Sequence, residues 1–278
     1  MKKHQVLLIL FFLGVNLFAQ KSINVATYNL RLKTESDGIN QWQFRVDHLK
    51  SLIEYHEFDI FGTQEGFKEQ LDDIAEIEGL NYFGKGRDDG KEAGEHAAIF
   101  YRSDKFKLLD SGNFWLSETP DVPSLGWDAD YKRICTWGKF KSIKTKAKFY
   151  VFNVHFDHRG KIAQVESARL IFKKIGEIAG QSMVILCGDF NLEPDSEGIA
   201  IIKKEMIDSR EVSSKAPYGP VGTFSGFNIN SKLNRRIDYI FVSKGIAVRK
   251  YAALSDIKDN RFPSDHLPVV AKVEFDRK

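Results

Sequence analysis

Cysteine is scarce: the 278 residues hold two, Cys135 and Cys187. Two cysteines cannot build the multi-bridge framework of a small secreted scaffold, nor a zinc site made mainly of thiolates. An excess of one charge is missing too. Lysine and arginine total 41 and aspartate and glutamate 38, a formal net charge of +3. That excludes a protein that coats DNA through bulk positive charge. Beyond residue 21 there is no linker, repeat or low-complexity tract, and no further apolar run long enough to cross a bilayer. With 42% hydrophobic and 28% charged residues, the chain is neither disordered nor fibrous, and its length suffices for a well-buried core.

The one long apolar run lies at the start. Lys2 and Lys3 precede the run at residues 6–15, and Leu17, Phe18 and Ala19 offer a small residue for cleavage before Gln20. This is the layout of a secretory signal peptide. The expectation is a leader over 1–20 and a single domain over 21–278. The run is shorter than the roughly 20 apolar residues of a membrane anchor, so no integral span is expected in the mature chain. Removing Lys2 and Lys3 from the 41 basic side chains leaves 39 against 38 acidic ones. Cys135 and Cys187 sit in apolar, strand-like contexts and are expected as buried free thiols.

Short strand-like runs alternate with helical ones. Strands are expected over 23–29, 58–63, 97–101, 108–116, 133–140, 149–156, 183–189, 237–242 and 269–275. Asn40 stands where it would cap a helix carrying Trp42, Val46, Leu49 and Ile53 on one face. A second short helix is expected over 67–77. Ile162, Val165, Phe172, Ile175 and Ala179 mark a third. The basic stretch 141–148 reads as the loop of a hairpin. The mixture suggests an α+β protein with helices outside packed sheets.

Six of these runs end in polar residues: Thr27-Tyr28-Asn29-Leu30-Arg31, Gly62-Thr63-Gln64-Glu65, Asn153-Val154-His155-Phe156-Asp157-His158, Gly188-Asp189-Phe190-Asn191, Arg236-Ile237-Asp238-Tyr239-Ile240 and Ser264-Asp265-His266-Leu267-Pro268. A buried strand has no easy place for a carboxylate, so such residues need a partner, a metal or a chemical role. One segment alone is an ordinary turn signal. Six in this order resemble the endonuclease/exonuclease/phosphatase superfamily, over about residues 21–275. Trp42-Gln43-Phe44-Arg45, Gly86-Arg87-Asp88-Asp89-Gly90, Phe114-Trp115-Leu116-Ser117-Glu118-Thr119-Pro120 and Phe156-Asp157-His158-Arg159 resemble a branch of secreted bacterial members whose substrate the match leaves open.

The resemblance implies a four-layer α-β-β-α sandwich, deoxyribonuclease-like, with two mixed, mostly antiparallel sheets. It implies a secreted or periplasmic enzyme, expected as a monomer, that hydrolyses phosphate esters with Mg²⁺ or Mn²⁺. A phosphodiester is the expected substrate. The alternatives are an endo- or exonuclease acting on nucleic acid, a phosphatase or phospholipase C-like enzyme acting on sugar or lipid phosphates, and an inactive binding module. Near-zero charge argues against a processive nucleic-acid binder. The gathering of acids, amides and histidines argues against the inactive module.

Residue roles follow from the chemistry of phosphate esters, whose anionic oxygens repel a nucleophile until a cation neutralises them. Glu65 is a hard-oxygen ligand for that cation, with Asn29 offering an amide oxygen and Asp265 a further ligand or anchor. Read alone, Glu65 would be a carboxylate at a helix start. In the family the Gly-Asp-Phe-Asn segment supplies a general base and a donor to the phosphoryl oxygen, here Asp189 and Asn191. Extended backbone would set both on one face; an Asx turn is the plainer alternative. His155 would donate to a non-bridging oxygen. Alternation sets Asn153, His155 and Asp157 opposite Val154 and Phe156. The family pairs His266 with the aspartate of the Arg-Ile-Asp-Tyr segment, Asp238, which fixes its tautomer and raises its pKa. Arg31, Arg45, Arg87, Arg159 and Arg235 are candidates for phosphate or sugar contacts. His96 and His158 are placed toward the cleft, and Phe224 is a candidate for stacking on a base or sugar ring.

Overall fold

A computed structural model describes residues 22–275; the leader expected over 1–20 lies outside the described residues. In chain order the elements are β1 (Ser22–Asn29), α1 (Val46–Tyr55), β2 (Ile60–Gln64), α2 (Lys68–Ala75), β3 (Leu80–Phe83), β4 (Ile99–Arg102), β5 (Phe106–Trp115), β6 (Ile134–Ser142), β7 (Lys148–His155), α3 (Lys161–Ala179), β8 (Val184–Asp189), α4 (Glu197–Glu205), β9 (Ile207–Asp208), β10 (Asp238–Val242), β11 (Ile246–Ala253) and β12 (Val269–Phe275). One six-stranded sheet runs β11-β12-β1-β2-β4-β3 and the other β5-β6-β7-β8-β10-β9. Each contains one parallel pair, β1–β2 and β7–β8; the other described pairings are antiparallel.

Hydrophobicity of period two makes the layers. In β1, Ile23 and Val25 face the other sheet while Ala26 and Tyr28 face outward. In β8, Ile185 and Cys187 face inward and Val184 and Leu186 outward. Strands buried on both faces carry apolar residues at both parities. The inward side chains, with Ile60, Phe140, Phe149, Val151 and Ile240, form the central core. The outer face of the first sheet packs on Leu49, Leu52 and Ile53 of α1 and Leu71 and Ile74 of α2. The outer face of the second packs on Ala168 and Ile171 of α3 and Ile199 and Ile202 of α4. The result is the expected four-layer sandwich. Cys135 and Cys187 are free and buried, and burial pushes the Cys187 thiol up to about 12.

The structure corrects the sequence reading in several places. The helix expected after Asn40 starts only at Val46, behind two short 3₁₀ turns over Glu35–Asn40 and Trp42–Phe44. Arg45 explains the break. Its guanidinium donates to the carbonyls of Asn40, Leu30, Pro263 and Arg31, tying the segment to loops instead of letting it wind. β3, β9, β11 and α4 had no sequence signal strong enough to mark them. β3 and β9 are edge strands of four and two residues, and β11 carries an irregularity between Val248 and Lys250 that breaks its alternation.

Near the open rim the core turns polar. Asn153 of β7 reaches across to the other sheet, donating to Thr63 O (2.9 Å) and Ala98 O (2.8 Å) and accepting from Gln64 Nε2 (2.6 Å). Gly62 lies opposite; a Cβ there would stand 2.4 Å from Asn153 Oδ1. Asn153→Ala therefore removes three buried bonds at once. Its expected cost is about 2–3 kcal/mol in urea unfolding, and a change below about 0.5 kcal/mol would contradict this account of the seam.

Candidate active site

The periodicity that fills the core also sets the site. On β1 the inward series that begins at Ile23 and Val25 ends at Asn29. On β8 it runs Ile185, Cys187, Asp189, and on β7 Phe149, Val151, Asn153, His155. β10 runs the other way and enters with Asp238 ahead of inward Ile240 and Val242. Parallel pairing brings the ends of β1 and β2 to one rim and those of β7 and β8 to another. Strand register sets Asp189 beside both His155 and Asp238. Gly188 is required there: its φ is +148°, and a Cβ would meet Val154 O at 2.1 Å.

Asn29 Nδ2 joins the two sheets, donating to Glu65 Oε1 and to Asp189 Oδ2, both at 3.0 Å. Glu65 Oε2 accepts from Leu32 N (3.2 Å). Asp189 Oδ2 also lies 3.7 Å from His155 Nε2 and 3.8 Å from His266 Nε2. His266 Nδ1 donates to Asp238 Oδ2 at 2.9 Å, which leaves Nε2 facing Asp189. Three residues around this point, Arg31, Glu65 and Asn191, hold left-handed backbone with φ of 58°, 65° and 51°. Such strain persists where the surroundings fix it and gathers at functional sites. The cleft over these groups has a volume of about 450 Å³.

Burial governs the charges. It pushes Asp189 up from an ordinary 3.8 to about 7, helped by the charge of Asp238 and opposed by His266, Asn191 N–H and the Asn29 amide. Burial also raises Glu95 to about 7, against the pull of Arg87, and raises Asp265. For His266 burial alone would favour the neutral ring, but Asp238 and Asp189 outweigh it and hold the imidazole well above its usual range. His155 goes the other way. Burial first, then the guanidinium groups of Arg133 and Arg87, hold it well below. Arg133 Nη1 is 3.0 Å from His155 Nδ1 and 2.9 Å from Nε2. The site thus pairs a histidinium with a neutral histidine across one carboxylate.

The donor set fits a divalent cation. Carboxylate oxygens of Glu65 and Asp189 and a ring nitrogen of His155 lie within 4.8 Å of one another, as do groups of Asp189, Asp238 and His266. Asp238 Oδ1 is buried without a hydrogen-bond partner. Hard carboxylate oxygens in a partly open cleft suit Mg²⁺ or Mn²⁺. Glu65 and Asp189 would hold the ion, with Asn29 between them, and when bound it supplies neutralisation of charge at the phosphoryl oxygens.

The structure brings together Asn29, Glu65, His155, Asp189, Asn191, Asp238, Asp265 and His266, with Arg31, His158 and Phe224 on the walls. Several details differ from the sequence expectation. Asn29 turns its nitrogen, not its oxygen, to the carboxylates, which need a donor; Oδ1 accepts from Arg31 N. The chain at Asp189 is not extended through Asn191. Asp189 Oδ1 accepts from Asn191 N at 2.8 Å in an Asx turn, and Asn191 Nδ2 donates to Phe156 O. Asp157 lies beyond the end of β7 and binds Arg133 and the backbone N–H groups of Arg159 and Gly160. Arg45 is committed to backbone carbonyls, Arg159 pairs with Asp130 in solvent, and His96 is buried against Gly66 O; none of the three lines the cleft. Three polar lining residues had no role in the sequence reading: Glu95, Tyr131 and Arg133. Glu95 Oε2 lies 2.6 Å from Arg87 Nη1 and 3.8 Å from His155 Nδ1. The available signals were Arg133 at the head of an expected strand and Glu95 just ahead of another, over 97–101.

The model of the Endonuclease/Exonuclease/phosphatase family matches residues 26–266. An endonuclease/exonuclease/phosphatase family protein of Bacteroides thetaiotaomicron has a TM-score of 0.89 to this fold at 46% identity, over 92% of this chain and 98% of that one. A mannosyl-6-phosphatase of the same organism has a TM-score of 0.87 at 45% identity, over 91% and 100%. An uncharacterised protein of Acanthamoeba polyphaga mimivirus is 31% identical over 173 residues, 58% of this chain and 63% of its own length.

Asp189, Glu95 and His266 all have folded-state values above their unfolded ones. Their stabilisation is complete at low pH and lost as pH rises through the folded values. The depressed value of His155 acts oppositely, but only below its unfolded value of 6.5. Asp189 and Glu95 lose their stabilisation between their ordinary values and about 7, and His266 loses its own above 6.5. In chelator the thermal midpoint should therefore fall from about pH 6.5 upward, and the stabilisation by added Mg²⁺ or Mn²⁺ should grow up to about pH 7 and then level off, because the ion replaces protons on the carboxylates. A metal-induced shift that shrinks with rising pH would contradict this.

Proposed function

The chain belongs to the endonuclease/exonuclease/phosphatase family of metal-dependent phosphoester hydrolases, and on that premise we propose that it is a phosphomonoesterase acting on a sugar phosphate. The observation that carries this is the guanidinium pair beside the reacting groups. Arg133 touches His155, and Arg87 lies at the same end of the cleft through Glu95. A terminal phosphate carries more negative charge than a diester, and such a pair matches it. The likeness to a mannosyl-6-phosphatase over nearly the whole chain supports the same substrate class.

In this reading Asp189, set among Asn29, His155 and His266, takes the proton of the attacking water. The water attacks phosphorus in line with the sugar oxygen. His266, positively charged, oriented by Asp238 and 3.8 Å from Asp189, donates to a non-bridging oxygen on the side of the attacking water, while the departing alkoxide on the far side takes its proton from solvent. His155, neutral, donates a ring N–H to a non-bridging oxygen. The diesterase expected from the sequence remains the second reading, favoured by Phe224 and Arg235, which furnish the other end of the cleft for a second substituent on phosphorus. A single phosphoesterase domain over 21–278, exported by the leader over 1–20, belongs to the same proposal and rests on the sequence. No helix among the described residues is long and apolar enough to cross a membrane.

With Mg²⁺ or Mn²⁺, the protein should release phosphate from mannose 6-phosphate and p-nitrophenyl phosphate, and turn over bis-p-nitrophenyl phosphate and DNA far more slowly. Turnover confined to the diesters would establish the second reading instead. Asp189→Ala and His266→Ala should each lose about 10²- to 10⁴-fold in kcat; near-normal rates in either would remove that residue from the mechanism.

A further inference from the structure

We infer that Tyr131 and His158 form the platform on which the sugar ring of the substrate stacks, with Tyr131 the residue that selects a cyclic over an open-chain leaving group. The inference rests on the phosphomonoesterase reading and names the substrate-facing residue within it. Tyr131 lies in the loop between β5 and β6, two residues ahead of Arg133, and is 45% exposed at the mouth of the cleft. Its ring lies nearly parallel to the His158 imidazole, 20° between planes and 5.9 Å between centroids. The guanidinium carbons of Arg87 and Arg133 stand 5.4 and 5.7 Å from its centroid, and Arg133 Nη2 bonds His158 Nδ1 at 3.1 Å.

The loop that carries the ring is pinned. Asp128 accepts from the backbone N–H groups of Ala163 (2.7 Å) and Ile162 (3.2 Å), Asp130 pairs with Arg159 (2.7 Å), and Lys132 Nζ donates to Asp88 O (2.8 Å). A pyranose presents a C–H face ringed by hydroxyl groups. It needs an aromatic surface fixed in advance, with planar charged groups at the rim to meet the hydroxyls. Tyr131 supplies the surface, with His158 stacked behind it; Arg87 and Glu95, paired at 2.6 Å, supply the rim. The other aromatic wall is arranged differently. Phe224 sets its ring at 72° to His266, 5.1 Å away, and lies under the Arg235 guanidinium at 5.3 Å.

The test compares mannose 6-phosphate with glycerol 2-phosphate, a monoester without a ring, in the Mg²⁺- or Mn²⁺-loaded enzyme. Wild type should prefer the hexose phosphate. Tyr131→Ala should lower kcat/KM on it roughly ten-fold more than on glycerol 2-phosphate, mainly through KM, while Tyr131→Phe retains the preference. Tyr131→Leu, which keeps an apolar side chain larger than alanine's but removes the ring, serves if the alanine variant has a lowered thermal midpoint. If wild type prefers the hexose phosphate and both variants keep that preference, or if Phe224→Ala abolishes it instead, the platform is elsewhere and the inference falls while the monoesterase reading stands. If wild type hydrolyses neither monoester, the monoesterase reading itself falls, and this inference with it.

Discussion

Buried negative charge between two sheet rims is the constraint on which this structure turns. Asp189 ends a strand whose other inward residues are apolar, and it is almost wholly shielded from water. A carboxylate in that position is costly unless a donor, a cation or a proton attends it. Asn29 from the opposite sheet supplies the donor, and His155 from the neighbouring strand and His266 from the loop ahead of β12 stand within 4 Å. Glu65, held by the same amide, adds a second carboxylate. The two sheets therefore meet at this rim through charge and amide contacts, where elsewhere they meet through aliphatic and aromatic side chains. Away from water, charge on these carboxylates acts more strongly on whatever enters the cleft.

From that constraint follows the division of labour among ionisable groups. Asp189 and Asp238 flank His266, and their charges keep its proton on; Arg133 and burial keep the proton off His155. One neighbourhood thus holds both a proton donor and a neutral hydrogen-bonding ring, set apart by what each side chain faces. The loops around the rim reinforce the arrangement. Thr223 and Ser225 tie the segment that carries Asp265 and His266 to the start of β10: Thr223 Oγ1 accepts from Asp238 N, and Ser225 Oγ donates to Asp265 O.

Much of this could be read from the chain because it depends on local periodicity. A strand such as residues 183–189 shows where its inward series ends, and the order of six such endings carries the family resemblance. Non-local geometry could not be read in the same way. Asn191 follows an Asx turn because Asp189 Oδ1 captures its N–H, a choice that competes closely with extended chain. The helix after Asn40 starts late because Arg45 is held by carbonyls from residues as distant as Pro263. Glu95 reaches the cleft from the β3–β4 connection and Tyr131 and Arg133 from the β5–β6 connection, so neither spacing nor alternation marks them. Arg45, His96 and Arg159 look like cleft residues by type, yet nearer partners claim each one.

Whether the carboxylates beside Asn29 form a cation site is decided by anomalous diffraction from crystals grown with Mn²⁺. A strong manganese peak should be bounded by Glu65, Asn29 and Asp189, and be lost in a Glu65→Gln variant that keeps the fold. Manganese bound only elsewhere on the surface, with this cluster filled by ordered water, would contradict such a site.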